Sequence, residues 1–267
     1  MNDRHSITVK PTIAAAVQHA GNAADTHVLF DWTEVKGTAQ AGKINGITTT
    51  VRGTDGVDQA AAGIDLVFAI SDLDGSAPTT LGSLNAVVDT AGWQNNLIGF
   101  AQVAAGDFID GDLTYMTIAT TSLQGKEVIL ANKGNRRAKI YVAGIAKGTF
   151  AFSTAVVTSQ IVDVSGLTTA ELVNADIQGT DPRAVFAPGD IIHAEDGIIL
   201  GEIESMADQH TITFKADGSG TESETDYVVP ADLAAWKIQN GAAAAGDLAS
   251  GDELYNIHPI TFKFHVG

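Results

Sequence analysis

The most regular pattern in the chain lies at its end, where Ile260, Phe262, Phe264 and Val266 alternate with Thr261, Lys263 and His265. A two-residue period puts alternate side chains on opposite faces of a strand, so this segment reads as a strand with one buried face. Shorter apolar runs bounded by Gly, Asn and Asp fill the stretch from His27 to about Thr154: Val28 to Trp32, Ile47 to Val51, Ile64 to Ile70, Leu84 to Val88, Leu97 to Val103, Leu113 to Ala119, Glu127 to Leu130 and Lys139 to Phe152. Turn residues recur about every 8 to 15 positions, and no amphipathic helix of about 12 residues intervenes, which disfavours βαβ crossovers. The pattern predicts an all-β chain whose residues 26–155 form an antiparallel, jelly-roll-like β-sandwich.

The flanks read differently. Residues 1–25 scatter Ile7, Val9, Ile13 and Val17 among small and polar residues, which predicts an extended N-terminal arm and makes those four side chains candidate partner contacts. In the connector, residues 156–184, Thr168-Thr169-Ala170-Glu171 has the spacing of a capping box and predicts one or two helical turns through Val173, ended by Gln178 to Pro182. Residues 185–267 predict a small β-barrel-like domain. Its strands are read at Ile191 to His193, Ile198 to Ile203, Thr211 to Phe214 and Tyr227 to Val229, with an Asp196-Gly197 hairpin turn and a brief helix after Pro230. The pattern leaves open whether the final strand completes that domain or returns to the sandwich. The echo between Ala105–Asp112 and Ala245–Asp252 reads as shared turn chemistry rather than a repeat.

Composition narrows the partners. The chain has 267 residues and carries 15 Lys and Arg against 32 Asp and Glu, a formal charge of −17 that repels phosphate backbones and argues against nucleic-acid binding. One basic cluster stands apart: Lys126, Lys133, Arg136, Arg137, Lys139 and Lys147. A solvated hairpin tip accounts for it; the sharper reading takes Lys133, Arg136, Arg137 and Lys139 as a docking patch for an acidic neighbour, another copy of the chain included. With no Cys, disulfides and thiolate metal sites are excluded. No apolar stretch approaches the roughly 20 residues a bilayer requires, and Met1 to Ser6 lacks the order of a secretory signal, so a soluble chain without a cleaved leader or membrane partner is expected.

Candidate chemistry is sparse. Ser71-Asp72-Leu73-Asp74-Gly75-Ser76 opens like a calcium loop but lacks the later oxygen ligands and terminal Glu, and Asp110-Gly111-Asp112 is no better; both read as turns. His5, His19, His27, His193, His210, His258 and His265 form no ligand pair, and neither a GxSxG elbow nor a phosphate-binding glycine loop occurs. Trp32, Trp93, Trp236 and Tyr115 are too dispersed to define a sugar-stacking platform and read as core. The expectation is a non-enzymatic protein with no cofactor or metal.

The Ala/Thr/Gly-rich β texture, the arm-like start, the opening Phe186 to His193 and the segment Phe108-Ile109-Asp110-Gly111-Asp112-Leu113-Thr114-Tyr115 resemble structural proteins of tailed-bacteriophage virions, most of all capsid decoration or cement proteins. The resemblance implies a β-sandwich or jelly-roll body made in the host cytoplasm, a homo-oligomer with a trimer favoured, clamping major capsid proteins on the capsid exterior of the virion. It implies no catalytic residue. The alternatives are a receptor- or glycan-binding tail or surface protein and, third, a carboxylate-dependent hydrolase.

Overall fold

In a computed structural model, residues 5–18, 24–36, 42–52, 62–89, 92–110, 116–130, 139–149, 160–161, 169–173, 186–194, 199–206, 211–214 and 254–267 are described. The chain is all-β, with antiparallel pairing throughout the described strands. Two sheets form the sandwich. The first has β1 (His5–Val9), β16 (Ile260–Val266), β3 (Lys43–Arg52), β7 (Met116–Ser122) and β6 (Phe108–Asp110) in that order, with β8 (Val128–Ile129) paired to the start of β3. The second has β2 (Val28–Glu34), β9 (Ile140–Lys147), β4 (Gly63–Ile70) and β5 (Leu97–Val103).

The orders β1-β16-β3-β7 and β2-β9-β4-β5 are those of a jelly roll: among these eight strands the chain crosses to the other sheet at every step except β4 to β5, which are sequential neighbours. A third sheet contains β10 (Gln160–Ile161), β11 (Thr169–Val173), β14 (Thr211–Phe214), β13 (Ile199–Met206), β12 (Ile191–Ala194) and β15 (Leu254–Asn256). All of it falls between β9 and β16, so this unit is an insertion into the last jelly-roll crossover. Among the described residues β10 and β15 do not pair, and closure into a barrel is not seen.

Alternation explains the core. Phe262 and Phe264, on the same face of β16, lie stacked at 6.0 Å and meet Phe30 of β2 at 5.7 Å and Phe68 of β4 at 5.4 Å. These four rings are fully buried and join the two sheets. Gly144 of β9 lies under the Phe30 ring, where any Cβ would overlap it, so the absence of a side chain at 144 is what admits the aromatic.

The structure corrects several expectations. The arm is part of the sandwich: β1 pairs in full register with β16, from His5 opposite Val266 to Val9 opposite Phe262. Ile7, Val9, Ile13 and Val17 are 6%, 3%, 0% and 0% exposed, core residues and not partner contacts. Their spacing, irregular along the sequence, reflects a strand followed by the short helix α1 (Ala15–Gln18). The final strand leaves the domain drawn over 185–267 and takes the central place between β1 and β3. Thr169–Val173 is strand, not helix; its pairing with β10 and β14 overrides the capping-box pattern. Leu84 to Val88 is a connection, held to β2 by bridges of His27 with Val87 and Val28 with Leu84. The expected elements at Tyr227 to Val229 and after Pro230, the Asp196-Gly197 turn and the Ala245–Asp252 echo lie outside the described residues.

Candidate functional site

The two sheets finish their outward faces differently. On the second sheet the outward residues Val28, Val67 and Ala143 are apolar, and the connection from β4 to β5 folds over them, adding Leu81 to make a small second core. Trp32, Val88, Trp93 and Ile145 pack around it. The cover is tied down by polar contacts: Trp32 Nε1 donates to Thr79 O at 2.8 Å, Trp93 Nε1 donates to Asp89 O at 2.6 Å, and the Val28 N–H donates to Ala86 O at 2.9 Å. This answers the reading of both tryptophans as core: they are half-buried, in a satellite cluster, with rings tilted at 57° and 6.4 Å apart.

The first sheet has no such cover among the described residues. Its outward positions include Ser6 and Thr8 on β1, Thr261, Lys263 and His265 on β16, Thr48 and Thr50 on β3, and Thr120 and Ser122 on β7, with the apolar Met116 and Ile118 on β7 and Ile129 on β8, all exposed or half-exposed. Thr50 stands between Thr261 and Ile118, and Thr48 between Lys263 and Thr120. Ile109 of β6, opposite Ile118, is 67% exposed and gives the face an apolar margin. Threonine is stiff at χ1, so the side chains of such a face lose little rotamer freedom when something meets them. His265 and Thr48 share a 2.9 Å hydrogen bond between Nε2 and Oγ1 across β16 and β3.

Charge sets this face apart. In a chain of charge −17, its strands present Lys43, Arg52 and Lys263 outward, with Glu127 beside Lys43 and Asp190 against Arg52 at the two ends of β3. Arg52 is occupied: Nη1 bonds Asp190 Oδ2 at 2.6 Å, the Asp190 side chain being 9% exposed, and the Arg52 N–H donates to Pro259 O at 2.8 Å. This pair fastens the end of β3 to the inserted unit. Asp190 Oδ2 also accepts the Ala187 N–H at 2.8 Å. Lys43 has Glu127 close by. Lys263 makes no ion pair among the described residues.

Of the basic cluster, Lys133, Arg136 and Arg137 lie outside the described residues. Lys139 is engaged within the chain: its Nζ bonds Glu34 Oε2 at 3.0 Å, and that hydrogen bond holds the ammonium pKa above the ordinary lysine value. The acidic turn Ser71–Ser76 is also accounted for. Asp72 Oδ1 accepts Asn96 Nδ2 at 2.8 Å, and Asp74 Oδ1 accepts both the Ser76 hydroxyl at 2.6 Å and the Ser76 N–H at 2.9 Å. The Ser76 hydroxyl is the first cause, its N–H the second, of an Asp74 pKa below the usual aspartate value. Gly75, at φ 88°, closes the turn, and Leu73 stands at its tip, 100% exposed. Among the described residues no three His, Asp or Glu side chains are grouped to hold a metal, and no helix is long and apolar enough to cross a membrane.

Sequence reasoning missed the threonine face. Its signal was present in the alternation of Ile47 to Val51 and Ile260 to Val266, which marks the polar partners of each buried residue as co-facial once the strands pair. What the pattern lacks is the pairing itself, because β3, β7 and β16 are far apart along the chain. No protein-family model and no curated protein matches the sequence.

Proposed function

We propose that this chain is a non-enzymatic structural protein of a tailed-phage virion, a decoration protein that binds and reinforces the capsid exterior. The observation that carries this reading is a jelly roll whose interior is filled by the Phe30, Phe68, Phe262 and Phe264 rings while the outward face of the first sheet, rich in threonine, has no cover over its middle among the described residues. Jelly rolls serve in viral capsid proteins and lectins, and support from fold alone is an analogy. The packed interior favours work done on the outside of the body, and the charge of −17 suits a protein that stays soluble and lets nucleic acid pass. On a symmetric shell, moderate contacts repeat, so each bound subunit raises the effective concentration of the next.

Co-sedimentation of the purified chain with empty, expanded shells of the cognate particle tests the reading. Saturable occupancy at a fixed ratio to the major capsid protein is expected, together with a rise in shell melting temperature. Failure to associate, or turnover of a small substrate lost on replacing one or two carboxylates, overturns it. The half-buried pair Trp32 and Trp93 favours a second reading, glycan recognition at a tail or cell surface. Reproducible binding on a glycan array without shell association selects that reading instead.

A further inference from the structure

We propose that the bare face of the first sheet is the receiving half of a head-to-tail contact with a second copy of this chain, and that the Asp72-Leu73-Asp74 tip is the entering half. The inference goes beyond shell binding, since it concerns what the chain does with itself.

Charge complementarity chooses the occupant. The face offers Lys263 on β16, which makes no ion pair among the described residues, while Lys43 at one end of β3 has Glu127 beside it and Arg52 at the other end is paired with Asp190; the chain as a whole carries a surplus of 17 negative charges. A second copy is therefore an acidic partner present at the same concentration. Two-fold pairing of this face with itself brings Lys263 toward its own duplicate, and like charges in a contact are costly. The complement has to come from a different surface of the other copy, which makes the contact heterologous.

The tip supplies that surface. It belongs to the connection between β4 and β5, on the other sheet, so donor and receiver do not overlap on one chain. Hydrogen bonds from Asn96 to Asp72 and from Ser76 to Asp74 fix both carboxylates, and the Gly75 N–H donates to Asp72 O at 2.9 Å, so the loop is ordered before contact. Leu73, wholly exposed, has an apolar counterpart at the Ile109 and Ile118 margin of the face, while the two carboxylates suit Lys263 and the threonine hydroxyls. A heterologous contact closes into a ring or runs on as an open array.

Analytical ultracentrifugation of the full chain over a wide concentration range tests this. The expected result is a weight-average mass that climbs above the 27.6 kDa monomer and falls back in about 0.5 M salt, where screening extends only a few Å. Lys263→Glu, Thr50→Arg and Leu73→Asp should each raise the concentration of half-association by about tenfold or more, with monomer melting unchanged. The double variant Lys263→Glu with Asp74→Lys should associate more tightly than Lys263→Glu alone. A monomer at every concentration overturns the proposal, as does association indifferent to Lys263→Glu and Thr50→Arg. A double variant no tighter than Lys263→Glu overturns the partnering of Lys263 with the tip. Shell co-sedimentation is scored separately: a monomer that still decorates shells sinks this contact alone, and a self-associating chain that ignores shells sinks the decoration reading alone.

Discussion

The two outward faces of the jelly roll solve one problem in opposite ways. Where the second sheet turns Val28, Val67 and Ala143 outward, the β4–β5 connection folds back over them with Leu81, Val88 and Trp93. Where the first sheet turns Thr48, Thr50 and Thr261 outward, nothing among the described residues covers them. Exposed apolar patches invite association of any kind, while threonine satisfies water and stays rigid. The choice of outward residue thus decides which side of the body is finished and which is left for contact.

The largest effect should come from Leu81→Ala. Leu81 is fully buried, and removing it opens the second core, so chemical denaturation should show a loss of about 2–5 kcal/mol. Thr50→Ala, on the bare face, should stay within about 0.5 kcal/mol in the same measurement. Equal losses at the two positions would break the comparison. Between them stands Arg52→Ala. It strips Asp190 of its ion pair at 2.6 Å while leaving the Ala187 N–H in place, and should cost about 1–3 kcal/mol. The first sign should be faster proteolysis of the inserted unit, and unchanged proteolysis would show that the pair does not fasten it.

The smallest effect concerns the tip of the cover. Because Ser76 depresses the folded-state pKa of Asp74, the interaction is present above the unfolded aspartate value and is lost as pH falls through the lower folded value. Ser76→Ala removes the hydroxyl donor but keeps the N–H. The Asp74 carboxyl carbon, followed by NMR, should then titrate at higher pH than in the parent chain. An unmoved midpoint would remove the hydroxyl from the account of that turn.

Local pattern was enough to read much of the sandwich. The run Leu97 to Val103 matches β5, and those at Ile64 to Ile70 and Ile260 to Val266 match β4 and β16 to within a residue. These strands are long, apolar on at least one face and bounded by turn residues. What failed was non-local. Ile7 and Val9 read as an arm because their period only acquires meaning beside Phe262 and Phe264, on a strand at the other end of the chain. Leu84 to Val88 has strand composition, yet it forms the cover over a sheet and keeps only two bridges. Thr169 to Val173 carries a helix-start signal and is captured by β14. The bare face was legible as single alternating residues but not as a surface, since its strands become neighbours only through the jelly-roll crossovers.

The central place of β16 in the first sheet has a consequence for how the molecule is made. Of the described strands β16 is synthesised after all the others, and β1, which precedes them, has no described sheet partner except β16. Until that segment emerges, β1 and β3 wait with unpaired edges and the Phe30 and Phe68 rings have nothing to close against. The first sheet can therefore close only once residues 260–266 have been made, so its assembly waits on contacts between strands far apart in sequence.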